Sequence, residues 1–248
     1  MKIRKDIYLA ASGRLGFDWT HPADCNVYAV DTGEGVVLID SGTGLNTAGL
    51  LHHLAEHGIG TDCISHVLLT HLHADHSGGA CEIRRITGAK IAVLQEAAPI
   101  LEAGDEEAIS LPQAREAGLY AQDYTWNACK ADILLNDGDR FDIGNYAFKV
   151  LHTPGHSGFD TCFYIRTSTG DSLLFSGDTV MYGGKISMLN TYDFSMLALS
   201  ESMKRLAGLT LDVLLPGHGQ PALSRASEHI ETAHSIFSKL GIPANFSG

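Results

Sequence analysis

At 248 residues the chain is long enough to bury a sizeable core, in one large domain or in two small ones. Its 44% hydrophobic and 19% charged residues are the proportions of an ordinary soluble globular protein. Seventeen basic against 29 acidic residues leave a net charge of −12, which repels a phosphate backbone, and no Lys/Arg cluster offsets it, so nucleic acid is not an expected partner.

The start, Met1 to Asp6, has no apolar stretch of the kind a secretory signal carries, and no run of ~18 apolar residues follows anywhere. No membrane is therefore expected, and a cytoplasmic location is. An apolar-alternating segment from Ile3 to Leu9 leads into a Gly-containing loop, Ser12 to Cys25, which carries Phe17 and Trp19. Val27 to Val30 and Val36 to Asp40 read as two strands of a hairpin around the turn-rich Asp31 to Gly35. Leu50, Leu51 and Leu54 recur at helical spacing between Asn46 and His57, with Gly58 as the stop. Val67-Leu68-Leu69 is a buried strand, and a helix from about Gly79 to Thr87 ends at Gly88, before a strand from Lys90 to Leu94.

Residues 96–131 break this rhythm. They hold two prolines, Glu102, Asp105, Glu106 and Glu107, and the aromatics Tyr120, Tyr124 and Trp126, which suggests one or two helices inserted over the surface. Strands return at Ile133 to Leu135, Ala147 to Leu151, Cys162 to Ile165 and Leu173 to Phe175. A helix with Leu197, Leu199, Met203 and Leu206 precedes a strand at Val213 to Leu215, and Ser224 is read as the cap of a last helix that runs to Leu240. The five cysteines are widely spaced with no Cys-x-x-Cys pair, which indicates neither a disulfide framework nor a thiolate metal site.

The chemistry concentrates in His71-Leu72-His73-Ala74-Asp75-His76, directly after the buried strand. Side chains two apart on extended backbone point the same way, so His71 and His73 can hold one ion together, with Asp75 and His76 facing a second. A single histidine at a strand end is ordinarily a packing residue. Four donors in six residues are not, because burying them without a metal would desolvate several polar groups at once. Three later stretches repeat a local pattern of strand end, tight turn and donor: Thr153 to His156, Phe175 to Thr179 and Leu215 to Gly219.

Taken in this order, the first motif followed by His156, Asp178 and His218 resembles the metallo-β-lactamase-fold superfamily, from Asn26 to the last helix. The resemblance implies an α/β fold, an αββα sandwich of two mixed β-sheets flanked by helices, as a single domain over 1–248 with a helical insertion at about 96–131. It implies a dinuclear site in which His71, His73 and His156 hold one ion, Asp75, His76 and His218 hold the other, and Asp178 bridges them. Two divalent ions are thus expected, zinc first, with iron, manganese or cobalt as alternatives. Between such ions a water becomes acidic enough to supply hydroxide near neutral pH, and Asp75 is a candidate proton shuttle.

The expected activity is that of a metal-dependent hydrolase of a carboxylic ester bond, with a lactone as first choice and a thioester, in the manner of glyoxalase-II-like enzymes, as the alternative. In size the chain resembles both groups. It departs from them in lacking a second Gly-His step after His156 and a basic C-terminal helical domain for a glutathione carboxylate. A phosphodiesterase, a mononuclear iron oxygenase and a metal-loaded sensor without turnover rank behind these. The partner expected is a small-molecule substrate, with a homodimer left open. Phe17 and Trp19 are candidates for an apolar lip that binds substrate. Tyr182 is a candidate catalytic donor to the developing oxyanion, at a spacing one residue longer than in the lactonases it resembles.

Overall fold

Two mixed β-sheets with flanking helices make up the chain, one sheet in each of two units, Met1–Leu135 and Asn136–Gly248. The structure is a computed structural model and describes residues 1–246.

In the first unit seven strands lie side by side in chain order: β1 (Lys2–Arg4), β2 (Ile7–Ala11), β3 (Val27–Asp31), β4 (Val36–Ile39), β5 (Ile64–Leu68), β6 (Lys90–Leu94) and β7 (Ile133–Leu135). The segment expected as one strand from Ile3 is two, because Asp6 adopts a left-handed φ of 64° and turns β1 back on β2. β3 and β4 form the expected hairpin, with Tyr28 opposite Ile39 and Val30 opposite Val37. From β4 to β7 the pairing is parallel. β4 and the last four residues of β6 are buried throughout, which matches their unbroken apolar runs.

Helix α1 (Thr47–Ala55) starts where the Asn46 side chain accepts a hydrogen bond from Gly49 N, and it packs against β2. A single turn, α2 (Ala74–Ser77), precedes α3 (Ala80–Thr87), which lies against β5 and β6. Gly88 closes α3 at φ 75°, a conformation that strains a residue with a Cβ. Residues 96–131 contain two short helices, α4 (Ala98–Ala103) and α5 (Leu111–Glu116).

The second unit orders its strands β12-β11-β10-β9-β8, with β8 (Arg140–Ile143), β9 (Tyr146–His152), β10 (Thr161–Arg166), β11 (Ser172–Gly177) and β12 (Val213–Pro216). All neighbours are antiparallel except β11 and β12. Helices α6 (Met196–Ala207) and α7 (Ala226–Ser238) pack on each other and bury Leu199, Met203, Leu206, Ile230, Ala233 and Phe237 with Leu174 and Leu214 of the sheet. Each large aliphatic side chain so buried contributes roughly 1.5–3 kcal/mol. Ser195 caps α6 by accepting from Ala198 N. At α7 the capping position is Arg225, at φ 57°, and not Ser224. Among the described residues no helix is long and apolar enough to cross a membrane.

Candidate metal centre

In both units the donors sit just past the C-terminal ends of strands that run the same way. β4 and β5 are parallel, and their ends deliver Asp40 on one side and Thr70 to His73 on the other. His73 is extended, with φ −55° and ψ 145°, and starts α2, so that Asp75 and His76 follow on its first turn.

His71 Nε2 lies 3.2 Å from His73 Nδ1, as the two-residue spacing on extended backbone required. His76 Nε2 lies 3.6 Å from Asp75 Oδ2. The other ring nitrogens are fixed from behind: His71 Nδ1 is 3.1 Å from Thr70 Oγ1, and His76 Nδ1 donates to Asp40 Oδ2 at 2.9 Å. Asp40 also accepts from Thr70 N at 2.8 Å and from Thr70 Oγ1 at 2.9 Å, so one buried carboxylate orients both the loop and a ring. It stands at φ 65°, a left-handed conformation that Asp tolerates better than most residues. Cys25 comes within 4.8 Å of the Asp40 and His76 donor atoms, but burial pushes its thiol up to about 12 and keeps it protonated.

In the second unit β9 and β11 both run antiparallel to β10, and β12 is parallel to β11, so these three strands end on one side of the sheet. They lead to His156, Asp178 and His218. Gly155, at φ 150°, lets the His156 turn press on α6: a Cβ there would come within 2.5 Å of Leu199 Cα. His156 Nδ1 is 3.0 Å from the Ser187 carbonyl. Its turn is further tied by Asp160, which accepts from Ser157 N at 2.6 Å and Ser157 Oγ at 2.7 Å. Burial raises the Asp160 carboxyl to about 6. Gly217 N donates to Gly177 O at 2.8 Å and brings the β11 and β12 turns together. Asp178 Oδ2 then lies 3.5 Å from His156 Nε2 and 3.6 Å from His218 Nε2.

These separations fit a shared ion better than direct hydrogen bonds. Two contacts from imidazole nitrogens to one carboxylate oxygen at 3.5 and 3.6 Å exceed the ordinary range of about 2.7–3.2 Å. Nitrogen and oxygen donors at ~2.0–2.1 Å from a tetrahedral zinc stand ~3.3–3.4 Å apart along each edge. Imidazoles with one nitrogen hydrogen-bonded from behind and the other turned to a neighbouring donor are the pattern of metal-bound histidines.

Three further residues singled out in the sequence are not metal donors, and each has an aromatic neighbour of its own. Phe17 and Trp19 stack on each other at 5.7 Å, and Trp19 meets His53 of α1 edge-on at 5.9 Å. Tyr182 lies on a single turn of 3-10 helix, Tyr182–Gly184, with its ring 4.3 Å from His229 of α7 and its side chain exposed. Conversely, the sequence pointed to neither Asp40 nor Tyr120. Asp40 carries the one available signal, an acidic residue closing a fully apolar strand. Tyr120, in the 96–131 segment, donates its hydroxyl to Asp75 Oδ1 at 3.3 Å and has no local signal.

The sequence model of the Metallo-beta-lactamase superfamily matches residues 22–218, across both units. An acyl-coenzyme A thioesterase, MBLAC2 of Bos taurus, is 30% identical over 212 residues, covering 78% of this chain and 72% of that protein. The thioesterase pkgB of Emericella nidulans is 30% identical over 203 residues, 80% of this chain, which spans only 47% of that longer protein. Among solved structures, a Cronobacter sakazakii metallo-beta-lactamase with a HARLDQ motif superposes with a TM-score of 0.75 over 97% of this chain and 96% of its own, at 16% identity. BJP-1, a subclass B3 enzyme of Bradyrhizobium japonicum, reaches 0.69 over 87% of this chain and 86% of its own, at 24% identity. Both share the fold.

Proposed function

From a chain that belongs to the metallo-beta-lactamase superfamily, we propose a metal-dependent hydrolase that cleaves acyl thioesters, with a substrate of the acyl-coenzyme A or acyl carrier class. The carrying observation is that relatives 30% identical over about four fifths of the chain are named as thioesterases. The lactone reading, first on sequence grounds, moves to second place, because those relatives act on the bond that the sequence ranked next.

Seven residues serve the reaction in this proposal: His71, His73, Asp75, His76, His156, Asp178 and His218 hold two divalent ions, zinc by preference. Bound there, the ions supply a water of lowered pKa and a Lewis acid for the carbonyl oxygen. The histidines enter neutral, with Nδ1 of His71, His76 and His156 held by Thr70, Asp40 and the Ser187 carbonyl. Asp178 turns Oδ2 to two imidazoles at once and suits a bridging position. Asp75, with Oδ2 turned to the ion, would take up the proton of the attacking water at Oδ1 and return it to the leaving sulfur as the C–S bond breaks. A thiolate leaves with less help than an alkoxide, since a thiol near pKa 8.5 is only weakly basic. The stacked Phe17 and Trp19 offer an apolar lip for the acyl part, and Tyr182 a hydroxyl for the carbonyl oxygen.

The test is the purified, metal-replete protein against matched acyl-coenzyme A, acyl-pantetheine, lactone, aryl ester and phosphodiester substrates, with metal content measured on the same sample. The expected result is two ions per chain and a kcat/KM for a thioester at least about tenfold above that for any lactone, a preference of about 1.4 kcal/mol. A lactone turned over faster than every thioester overturns the reading.

A further inference from the structure

The 96–131 segment does more than cover the first unit, because its aromatic side chains end in hydrogen bonds to the loops that follow β4 and β5. Tyr124 donates its hydroxyl to the Thr43 carbonyl at 2.9 Å. Trp126 Nε1 donates to Ser77 Oγ at 2.9 Å, and that hydroxyl donates to the Leu72 carbonyl at 2.8 Å, inside the His71-Leu72-His73 stretch. The segment is also clamped within itself. Arg115 Nη2 reaches both carboxylate oxygens of Glu106, at 2.8 and 2.9 Å, while Arg115 Nε donates to the Tyr124 carbonyl at 3.0 Å and Trp126 N to Glu106 Oε1 at 2.9 Å. Tyr120 lies inside this clamp, with its ring stacked on Tyr124 at 4.9 Å and 17°.

Held in this way, the Tyr120 hydroxyl donates to Asp75 Oδ1 at 3.3 Å, while Asp75 Oδ2 is the oxygen turned toward His76 Nε2. The geometry points to Tyr120 as a positioning residue that occupies one oxygen of Asp75 and so presents the other, alone and in a fixed orientation, to the ion. This rests on the proposed role of Asp75 as a ligand. A carboxylate free to rotate can offer one oxygen or two, and its affinity is then spread over several arrangements. The bond from Tyr120 selects one of them, and it links the metal loop to a segment 45 residues further along the chain. Hydrogen-bond partners of metal ligands typically account for about 10–100-fold in metal affinity.

The experiment is zinc binding to the full chain in competition with a chromophoric chelator, resolving both affinities, for the wild type, Tyr120→Phe, Tyr124→Phe and Asp75→Asn. Tyr120→Phe keeps the stacked ring and removes only the hydroxyl. The expected result is about a 10–100-fold loss in one affinity with the other unchanged, and the same thermal unfolding as wild type for the metal-free proteins. Tyr124→Phe, which removes an anchor to a backbone carbonyl, should lower the unfolding temperature and leave both affinities in place. If Asp75→Asn loses an ion and Tyr120→Phe does not, the positioning role is overturned while Asp75 stands as a ligand. If neither variant changes either affinity, the assignment of Asp75 as a ligand falls, and the role of Tyr120 with it. Equal losses in Tyr120→Phe and Tyr124→Phe would also overturn the proposal, since they would report a general loosening of 96–131.

Discussion

At the scale of single residues, the buried carboxylate of Asp40 organises the donor loop of the first unit. It accepts three hydrogen bonds, two from Thr70 and one from His76 Nδ1, and an amide in its place has only one acceptor oxygen. Asp40→Asn must put its NH2 either at the Oδ2 position, which accepts from the His76 ring and Thr70 Oγ1, or at the Oδ1 position, which accepts from Thr70 N, and in both orientations a donor meets a donor in the interior. We expect zinc affinity to fall about 10–100-fold in this variant, measured by chelator competition. Unchanged affinity would mean that the His76 ring is held by its packing alone. Asp40 lies 36 residues before His76, and nothing in the local sequence joins them. The same holds for Tyr120 and Asp75. His71 and His73, by contrast, are neighbours along one strand direction, and their approach could be read from spacing.

At the scale of elements, the bidentate pair between Arg84 on α3 and Asp132 just before β7 fastens the helix to the parallel edge of the first sheet. Arg84 Nε and Nη2 donate to the two Asp132 oxygens at 2.9 and 3.1 Å, and Ile91 N of β6 donates to Oδ2 at 3.1 Å. The hydrogen-bonded guanidinium holds the Asp132 carboxyl well below the usual carboxylate range. Because the folded-state value is depressed, the stabilisation is present above the unfolded pKa of about 3.9 and is lost as pH falls through the folded value. Asp132→Asn is expected to lower stability at pH 7 by about 1–2 kcal/mol, the lower part of the range for charged hydrogen bonds because Arg84 is partly solvated. In urea unfolding, the gap between wild type and variant should narrow as pH is lowered below about 4. A gap of the same size at pH 7 and pH 3 would assign the effect to packing. The elements themselves followed their sequence patterns where these were strong, as in β3, β4, α3 and β6. They departed where tertiary pairing decided: β8, with the partly exposed alternation Arg-Phe-Asp-Ile, is a strand because β9 pairs with it, and Asp6 splits the first segment in two.

At the scale of the whole molecule, a donor set organised only in the folded chain links metal binding to stability. An ion that binds the native state at a concentration of 100 times its Kd stabilises it by about 2.7 kcal/mol. For a chain of this size each kcal/mol moves the unfolding temperature by roughly 2–4 °C. Removal of one such ion by a chelator should therefore lower the unfolding temperature by roughly 5–10 °C, and restored zinc should raise it again in proportion to the logarithm of free zinc. A melting temperature indifferent to chelator and to zinc would show that the donors hold no ion in the folded protein. The family match over residues 22–218 spans both compact units, so the prediction concerns the chain as a whole.

The sequence by itself determined which residue types the turns present and which runs become strands, because both follow from short-range facts: side-chain periodicity, glycine at turns and apolar runs that must be buried. It carried the family and, with it, the two mixed sheets. The tertiary structure alone decided which groups stand behind the donors, Asp40 behind His76, the Ser187 carbonyl behind His156 and Tyr120 beside Asp75. These partners are 31 to 45 residues away along the chain, and a hydrogen bond between residues so separated depends on strand register and on how the segment 96–131 is clamped. Neither leaves a pattern in the residues on either side.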